Sequence, residues 1–386
     1  MDIDPLIDDP RTRIVVCCGS GGVGKTTTAA ALAVLGARSG RKVAALTVDP
    51  ARRLADSLGI RDPGARAEEL APERWQAPGQ ASSGGRLSVM MLDTKRTFDE
   101  LIERHASSPE ARDRILNNRL YEHVSSHLAG AHEYMAMEKL LSVSRDSSFD
   151  LIVLDTPPTR DALDFLSAPE RLVSALDSSV LGWLGQALHP SKGLSLGLLA
   201  RGVSRVLGTM GRITGRELLE QLARFIVDLN ELFGGFRQRA SAVSQAFRGP
   251  GFGFVLVSSP RPAALEESLR LGLQLQLEGM ALDSFVVNRM PQPGGDATRA
   301  QLAQALHERR AQWPAPEAEA SLDAILRVVA QQNARQRESA QRVETARAEL
   351  RALSRGSAAE LVLLPELPAD VQGVSALHEL ARVLAS

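Results

Sequence analysis

The chain contains little cysteine, few aromatic side chains and no excess of charge of either sign. Its 386 residues include two cysteines, 4% aromatic residues, 45 lysines and arginines, and 46 aspartates and glutamates. The adjacent Cys17 and Cys18 exclude a disulfide framework and are typical of a reducing compartment. Because the net charge is only −1, a basic surface for nucleic acid is not indicated and we expect no nucleic-acid partner.

The sequence also lacks a long uninterrupted apolar segment. Residues 1–10 are acidic and have no apolar core, unlike a signal peptide. The uncharged stretch 178–191 contains His189 and Pro190 and is shorter than the roughly 18 apolar residues that a membrane-spanning helix needs. The histidines and cysteines show no zinc-ligand spacing. We therefore expect a cytoplasmic protein that contacts a membrane only peripherally, if at all.

What the sequence does contain is a glycine-rich loop between a strand pattern and a helix pattern. The loop reads Gly-Ser-Gly-Gly-Val-Gly-Lys-Thr and follows an apolar run that ends at Cys18. This spacing and context are those of a phosphate-binding P-loop, and the alternative is a turn that binds no ligand. The nucleotide-binding residues predicted here are Gly19, Ser20, Gly21, Gly22, Val23, Gly24, Lys25, Thr26 and Thr27.

Each part of this loop has a chemical role. Its glycines permit backbone conformations closed to other residues, so that main-chain N–H groups can surround an anion. The helix that begins near Lys25 directs the positive end of its dipole to the same place. Lys25 is expected to reach the β- and γ-phosphates, and the Thr26 hydroxyl to bind Mg²⁺. The loop therefore predicts a nucleoside triphosphate with Mg²⁺ as the ligand.

Apolar strand-like runs alternate with amphipathic helical patterns along the chain. This alternation predicts an α/β fold with a doubly wound, mostly parallel sheet covered by helices on both faces. Ligands of such sheets bind at the carboxyl ends of the strands, where Asp49, Asp155 and Asn288 also lie. The predicted strands are Arg13–Cys18, Lys42–Val48, Leu87–Leu92, Phe149–Asp155, Phe252–Ser258, Leu282–Asn288 and Glu360–Leu364.

We predict a nucleotide-binding core in two parts with a helical insertion between them. Residues 1–162 form the first part, and residues 251–386, with a long helical segment at 317–355, form the second. Residues 163–250 show no strand pattern and are predicted as an inserted helical subdomain, whose apolar side chains form either a core or a groove for a partner. The stretch 72–86 contains glycine and serine and is predicted as a surface loop.

Two aspartates at predicted strand ends are candidates for the chemistry. Asp155 follows Leu-Ile-Val-Leu, the position at which P-loop enzymes place a carboxylate that holds Mg²⁺, and the alternative is a helix cap. Asp49 could orient and deprotonate an attacking water. Its alternative roles are a ribose or substrate ligand and a helix cap.

Together these residues resemble the ArsA family of P-loop ATPases. That family groups the arsenite-pump ATPases with the guided-entry ATPases that deliver tail-anchored membrane proteins, and its members dimerise. The resemblance covers nearly the whole chain and is strongest to bacterial ArsA-like ATPases without an assigned client. The matching segments are 19–27, 49–57, 155–159, 258–262 with Glu266, 286–289, and 363–368 with 373–377.

The resemblance implies a role for each matching position. ATP and Mg²⁺ would be the ligands, with Asp49 and Lys25 as catalytic residues. Mg²⁺ would be held by Thr26 and, through water, by Asp155. The adenine ring would be read by Asn288 and Arg289, and residues 163–250 would face a client or a membrane. The switch segments would contain Arg52, Asp155, Pro157, Thr159 and Arg160.

Several positions depart from the family's pattern. The family carries a lysine after the first glycine of the P-loop, and that lysine reaches the phosphates of the dimer partner; here the residue is Ser20. The histidine of the first switch is replaced by Arg52, and the Gly-His of the second switch by Arg160 and Asp161. The cysteines of zinc-bridged dimers and of arsenite sensing are absent, so that arsenite activation is not expected.

The sequence thus predicts a Mg²⁺-dependent ATPase that acts as a nucleotide-driven dimeric switch in the transport or targeting of a membrane-associated client. The alternative is an ATP-binding scaffold subunit with weak hydrolysis that pairs with a lysine-bearing paralogue. The dimer is accordingly either a homodimer or a heterodimer. The near-neutral charge disfavours a DNA-partition ATPase, and the helical insertion fits a small-molecule kinase poorly.

Overall fold

The computed structural model describes residues 3–48, 53–60, 67–76, 84–118, 121, 131–156, 242, 245–292, 300, 301, 304, 308, 315–353, 360–367 and 374–385. The chain divides into two compact units. The first consists of Met1–Met90, Ser148–Ala162 and Pro250–Ser386, and the second of Met91–Ser147 and Leu163–Gly249.

The first unit is built on one eight-stranded sheet. Its strands, in chain order, are β1 (Ile14–Gly19), β2 (Lys42–Thr47), β3 (Glu68–Glu69), β4 (Arg86–Met91), β5 (Leu151–Asp155), β6 (Phe252–Ser258), β7 (Ser284–Met290) and β8 (Glu360–Pro365). Their order across the sheet is β3-β4-β2-β5-β1-β6-β7-β8. Strands β2, β5, β1, β6, β7 and β8 pair in parallel, and β3 pairs antiparallel with β4. The predicted α/β fold with a mostly parallel sheet is confirmed.

Helices connect these strands. In chain order those of the first unit are α1 (Asp4–Asp8), α2 (Lys25–Arg38), α3 (Arg53–Ser57), α7 (Pro262–Leu277), α8 (Ala315–Leu353) and α9 (Val374–Leu384). Helix α2 is rich in alanine, and all its residues from Thr28 to Ala37 are buried. Small side chains let this helix pack closely on β1, β2 and β5 while α1 and α9 cover it. The P-loop is therefore held between a buried strand and a buried helix.

The long polar segment near the end of the chain forms a single helix, α8. Ser339, Val343, Ala346 and Leu350 are its buried residues toward the carboxyl end, where the helix packs on α7 and β7. Gly272 of α7 allows this contact, because a Cβ there would lie 2.5 Å from Leu350 Cδ2. The rest of α8 is mostly exposed, in accordance with its charged and glutamine-rich sequence.

The second unit is described mainly through three helices, α4 (Thr94–His105), α5 (Pro109–Leu116) and α6 (Ala131–Ser144). Asp93 and Ser108 cap α4 and α5 by accepting main-chain N–H bonds. Lys139 of α6 forms an ion pair with Glu100 of α4 at 3.3 Å. Residues 163–241 lie outside the described part of the chain, so the inserted helical subdomain stays a prediction. Among the described helices none has the length and apolar character needed to cross a bilayer.

Two local predictions need correction. The stretch 72–86 is not a surface loop at its start, because Pro72–Arg74 form a 3₁₀ helix. Trp75 follows it and is 1% exposed, with its indole N–H donating to the Leu70 carbonyl at 3.3 Å. Strand β7 continues past Asn288 to Met290, because its pairing with β8 resumes at Met290. The irregularity between Val287 and Met290 coincides with the left-handed φ of 60° at Arg289.

Candidate functional site

The P-loop leaves β1 at a point where only glycine fits. Gly19 pairs with Val257 of β6, and a Cβ at Gly19 would lie 2.0 Å from the Val257 carbonyl oxygen. Its φ of 148° is also unfavourable for other residues. The loop ends at Gly24, whose φ is 98° and after which α2 begins at Lys25. The predicted segment 19–27 therefore forms a strand–loop–helix turn.

Lys25 folds back over the loop that precedes it. Its ammonium group donates to the main-chain oxygens of Gly19 at 2.9 Å and of Ser20 at 2.8 Å. The residue is only 5% exposed, and a buried ammonium group is stable only when it is well hydrogen-bonded. Lys25 is thus placed at the carboxyl edge of β1, with its positive charge inside the loop.

Ser20 occupies an enclosed position in this loop. It is 5% exposed, and its carbonyl oxygen accepts a hydrogen bond from the Lys25 ammonium group. The following Gly21 and Gly22 are exposed. A serine side chain at this site is short and uncharged, so position 20 carries no cation.

Asp155 lies at the carboxyl end of β5, between β1 and β2. Its pairing partners are Cys17 on β1 and Thr47 on β2. The carboxylate is fully buried, and Oδ2 accepts a hydrogen bond from the Thr47 hydroxyl at 3.1 Å. The next residue, Thr156, donates its hydroxyl hydrogen to the Cys17 carbonyl at 2.8 Å. Two threonines that sequence reasoning did not select therefore fix the end of this strand.

Cys17 and Cys18 are core residues, with exposures of 0% and 3%. Burial raises the pKa of the Cys17 thiol well above its ordinary value, and the nearby Asp155 carboxylate raises it further. Burial likewise raises the pKa of Cys18 to about 12. Because the thiolate is the form that binds arsenic or metals, both side chains are chemically inert in this fold.

Asn288 approaches the P-loop from β7. Its side-chain N–H donates to the Val23 carbonyl at 3.0 Å, and its Oδ1 accepts from the main-chain N–H of Arg289 at 2.9 Å. The residue is 8% exposed. Asn288 is predicted to contact the nucleotide. In the fold its side chain also contacts the P-loop itself.

The other predicted site residues lie outside the described part of the chain. They include Asp49, which directly follows the described end of the segment after β2, and four residues of the switch segments. Their predicted roles are therefore carried forward only as proposals. These residues are Asp49, Arg52, Pro157, Thr159 and Arg160.

The residues that are described fit a nucleoside triphosphate with Mg²⁺. A glycine loop, a helix N-terminus and a buried lysine at one point form a site for a phosphate chain. Mg²⁺ in such a site needs only a few protein oxygens, because phosphate and water supply the others. Among the described residues there is no cluster of three or more His, Cys, Asp or Glu side chains that could hold a metal alone.

Comparison with known proteins relates the chain to a family of ATPases. The family model described as anion-transporting ATPase matches residues 12–312. The chain is 25% identical to the ATPase GET3 of Malassezia globosa over 307 residues. This alignment covers 79% of this chain and 81% of that protein. It is 26% identical over 298 residues to the ATPase get3 of Neurospora crassa, covering 76% and 78%. The ATPase GET3 of Chaetomium globosum matches to the same extent.

The family match includes β1, the P-loop, Asp155 and Asn288, and therefore the whole of the site described above. The resemblance inferred from the motifs is confirmed by both the family model and the relatives. The chain belongs to the anion-transporting ATPase family and is a P-loop enzyme that hydrolyses ATP.

Proposed function

We propose that this protein is a dimeric switch in which ATP binding and hydrolysis control the handling of a membrane-associated client. The observation that supports it best is the juxtaposition of two strand ends. The P-loop with Lys25 leaves β1, and Asp155 ends the adjacent β5 in register with Cys17. In P-loop ATPases these two elements act on the same phosphates and Mg²⁺.

In this proposal each residue of the loop has a defined task. The main-chain N–H groups of residues 19–26 and the N-terminus of α2 bind the phosphate chain of ATP. Lys25 exchanges its bonds to the Gly19 and Ser20 carbonyls for bonds to the β- and γ-phosphates. Thr26 and, through water, Asp155 would hold Mg²⁺, which would neutralise charge on the phosphates. The exchange at Lys25 couples occupancy of the site to the conformation of the loop.

Asp49 is proposed as the base that orients the attacking water, and the segments around Asp49 and Asp155 as the switches. Substitution of Asp49 by asparagine keeps the size of the side chain but removes its basicity. We expect turnover to fall at least about a hundredfold, as for the loss of a general base, while ATP binding measured by calorimetry is retained. An Asp49→Asn variant that hydrolyses ATP at the normal rate would exclude this role.

Ser20 supports a second candidate, in which the active dimer is formed with a lysine-bearing paralogue. In that case the protein alone binds ATP but turns it over slowly. Sedimentation of the Asp49→Asn variant with ATP and Mg²⁺ separates the two cases. A dimer of the chain alone supports the homodimer, whereas a monomer that dimerises only on addition of the paralogue supports the heterodimer.

The client and the cytoplasmic location are proposed from the family resemblance. Residues 163–250, which include many apolar side chains such as Trp183 and Leu184, are proposed to contact the client. The ATP-trapped Asp49→Asn variant is the suitable bait for a pull-down followed by mass spectrometry. Recovery of proteins with an apolar membrane segment, lost when ADP replaces ATP, supports the proposal. Equal recovery with ADP contradicts nucleotide control.

A further inference from the structure

Asn288 is tied to the backbone of the P-loop by a direct hydrogen bond. Its Nδ2 lies 3.0 Å from the Val23 carbonyl oxygen, and Oδ1 is fixed by the Arg289 N–H at 2.9 Å. The side chain is buried. Because both ends of the amide are held by main-chain atoms, its position is defined by β7 on one side and by the loop on the other.

The same side chain fills the space beside Gly24. A Cβ at Gly24 would lie 2.1 Å from Nδ2 of Asn288, a distance that no side chain can adopt. Gly24 also has a φ of 98°, in the region that favours glycine. The residue that joins the loop to α2 is thus a glycine both for its own conformation and for the close approach of Asn288.

We propose that Asn288 is a positioning residue for the phosphate-binding loop, an inference that rests on the proposed function of that loop. The peptide between Val23 and Gly24 is planar and trans, so that its C=O and N–H point in opposite directions. A donor that holds the Val23 carbonyl on one side therefore directs the Gly24 N–H to the other. In this way Asn288 orients the Gly24 N–H, one of the main-chain groups that donate hydrogen bonds to phosphate at the start of α2.

This role differs from that of a residue that only reads the adenine ring. An asparagine amide can make two donor and two acceptor bonds, and the two contacts described use one of each. Asn288 can therefore contact a base and hold the loop at the same time. The two roles are separated by a ligand that has phosphates but no base.

The test is calorimetric binding of Mg²⁺–ADP and of Mg²⁺–pyrophosphate to the full-length chain and to Asn288→Ala. Loss of the bond leaves the buried Val23 carbonyl without this donor, and we expect pyrophosphate to bind about tenfold more weakly. ADP should weaken by at least the same factor. The matched control is Ser284→Ala, which removes another buried side-chain hydrogen bond of β7, to the Glu360 carbonyl, and should leave both affinities unchanged.

Unchanged pyrophosphate binding in Asn288→Ala, with weaker ADP binding, would overturn the inference. Asn288 would then be a residue that only contacts the base. Failure of the unmodified chain to bind either ligand would overturn the proposed function as well, so that the two failures are distinguishable. Circular dichroism verifies folding of each variant. If the alanine variant does not fold, Asn288→Ser, which is too short to span the distance to Val23, must show the same loss of pyrophosphate affinity for the inference to stand.

Discussion

At position 20 the P-loop carries an uncharged serine where the family resemblance leads us to expect a lysine. The glycines and Lys25 keep the predicted phosphate-binding pattern, so the expected difference is one of charge rather than of loop shape. Ser20 is buried, but the next two residues, Gly21 and Gly22, are exposed and have open space where a Cβ would be. Open space therefore adjoins position 20 in the loop.

We therefore expect Ser20→Lys to raise the turnover number of the protein alone. One well-placed positive donor in a phosphoryl-transfer site changes the rate by about 10² to 10⁵, and an increase of about tenfold or more is expected here. The measurement is steady-state phosphate release at saturating ATP. Ser20→Met is the control, because methionine has a similar length without the charge. Equal rates for the two variants would show that the missing charge does not limit hydrolysis.

We propose that Thr47 positions the Asp155 carboxylate for the Mg²⁺ of the proposed site. Its hydroxyl donates to Oδ2 of the fully buried Asp155, and a carboxylate without fixed orientation holds Mg²⁺ less well. We expect Thr47→Val, which preserves shape, to raise the Mg²⁺ concentration for half-maximal ATPase activity several-fold. Ser268→Ala, which removes a buried hydroxyl of α7 that donates to the Ala264 carbonyl, is the control. An identical Mg²⁺ titration for Thr47→Val and the unmodified chain would contradict this role.

These contacts also show which features of the site could not be predicted from the sequence. The P-loop is local, so its nine residues could be identified from spacing alone. Thr47 and Asp155 are 108 positions apart, and Asn288 and Val23 are 265 positions apart. Such pairs form only when the chain folds and brings distant strand ends and loops together, and a single sequence contains no pattern that specifies them. The ligand could therefore be predicted, but not the residues that position its site.

At the scale of elements, the apolar strands, including the edge strand β8, could be located, whereas the short edge strand β3 and the burial of Trp75 could not. Strand β6 has the predicted bounds because its apolar run is continuous and every residue after Phe252 is buried. Strand β3 has two exposed residues, Glu68 and Glu69, and is too short to give a pattern. Trp75 is held in place by a tertiary contact with α9. Because the composition of the stretch 72–86 is typical of a loop, the burial of Trp75 could not be predicted from the local sequence.

That contact predicts a pH dependence. Nε2 of His378 on α9 lies 2.9 Å from the Trp75 carbonyl oxygen, so this nitrogen carries the hydrogen. Burial, assisted by the nearby Arg38, lowers the pKa of His378 below its ordinary value of 6.5, although the bond to Trp75 opposes the shift. The folded state then binds fewer protons than the unfolded state just below pH 6.5. Stability contributed by the neutral form is present above that pH and is lost as the pH falls below it.

The measurement is the thermal midpoint at about pH 8 and at about pH 5.5, on either side of the ordinary titration range of histidine. His378→Gln keeps a donor for the Trp75 carbonyl but cannot become charged. We expect the decrease in the midpoint on acidification to be smaller in this variant than in the unmodified chain. The same decrease in both proteins would assign the pH dependence to other groups.

At the scale of the whole first unit, the two ends of the chain meet. The Ile3 N–H donates to the Leu384 carbonyl at 3.1 Å, and Ile3 and Ile7 are 2% and 0% exposed. The Arg41 guanidinium donates to the carbonyl oxygens of Ile7 and Asp9 and, on the neighbouring segments, to those of Thr12 and Asp150. The N-terminal helix is thus bound to α9, to the start of β1 and to the turn before β5.

These contacts lie at the amino ends of the strands, whereas the P-loop lies at their carboxyl ends, so stability and nucleotide binding should separate. Ile7→Ala removes a fully buried side chain and is expected to lower the free energy of unfolding by about 2–5 kcal/mol. The adjacent Asp8 is exposed, and Asp8→Ala should change this free energy by less than about 0.5 kcal/mol. Urea unfolding measures the free energy of both variants.

At urea concentrations below the unfolding transition, the KM for ATP should be the same in the two variants and the unmodified chain. A change in KM in Ile7→Ala at full folding would mean that the N-terminal helix acts on the nucleotide site through α2, whose N-terminus forms the end of the P-loop.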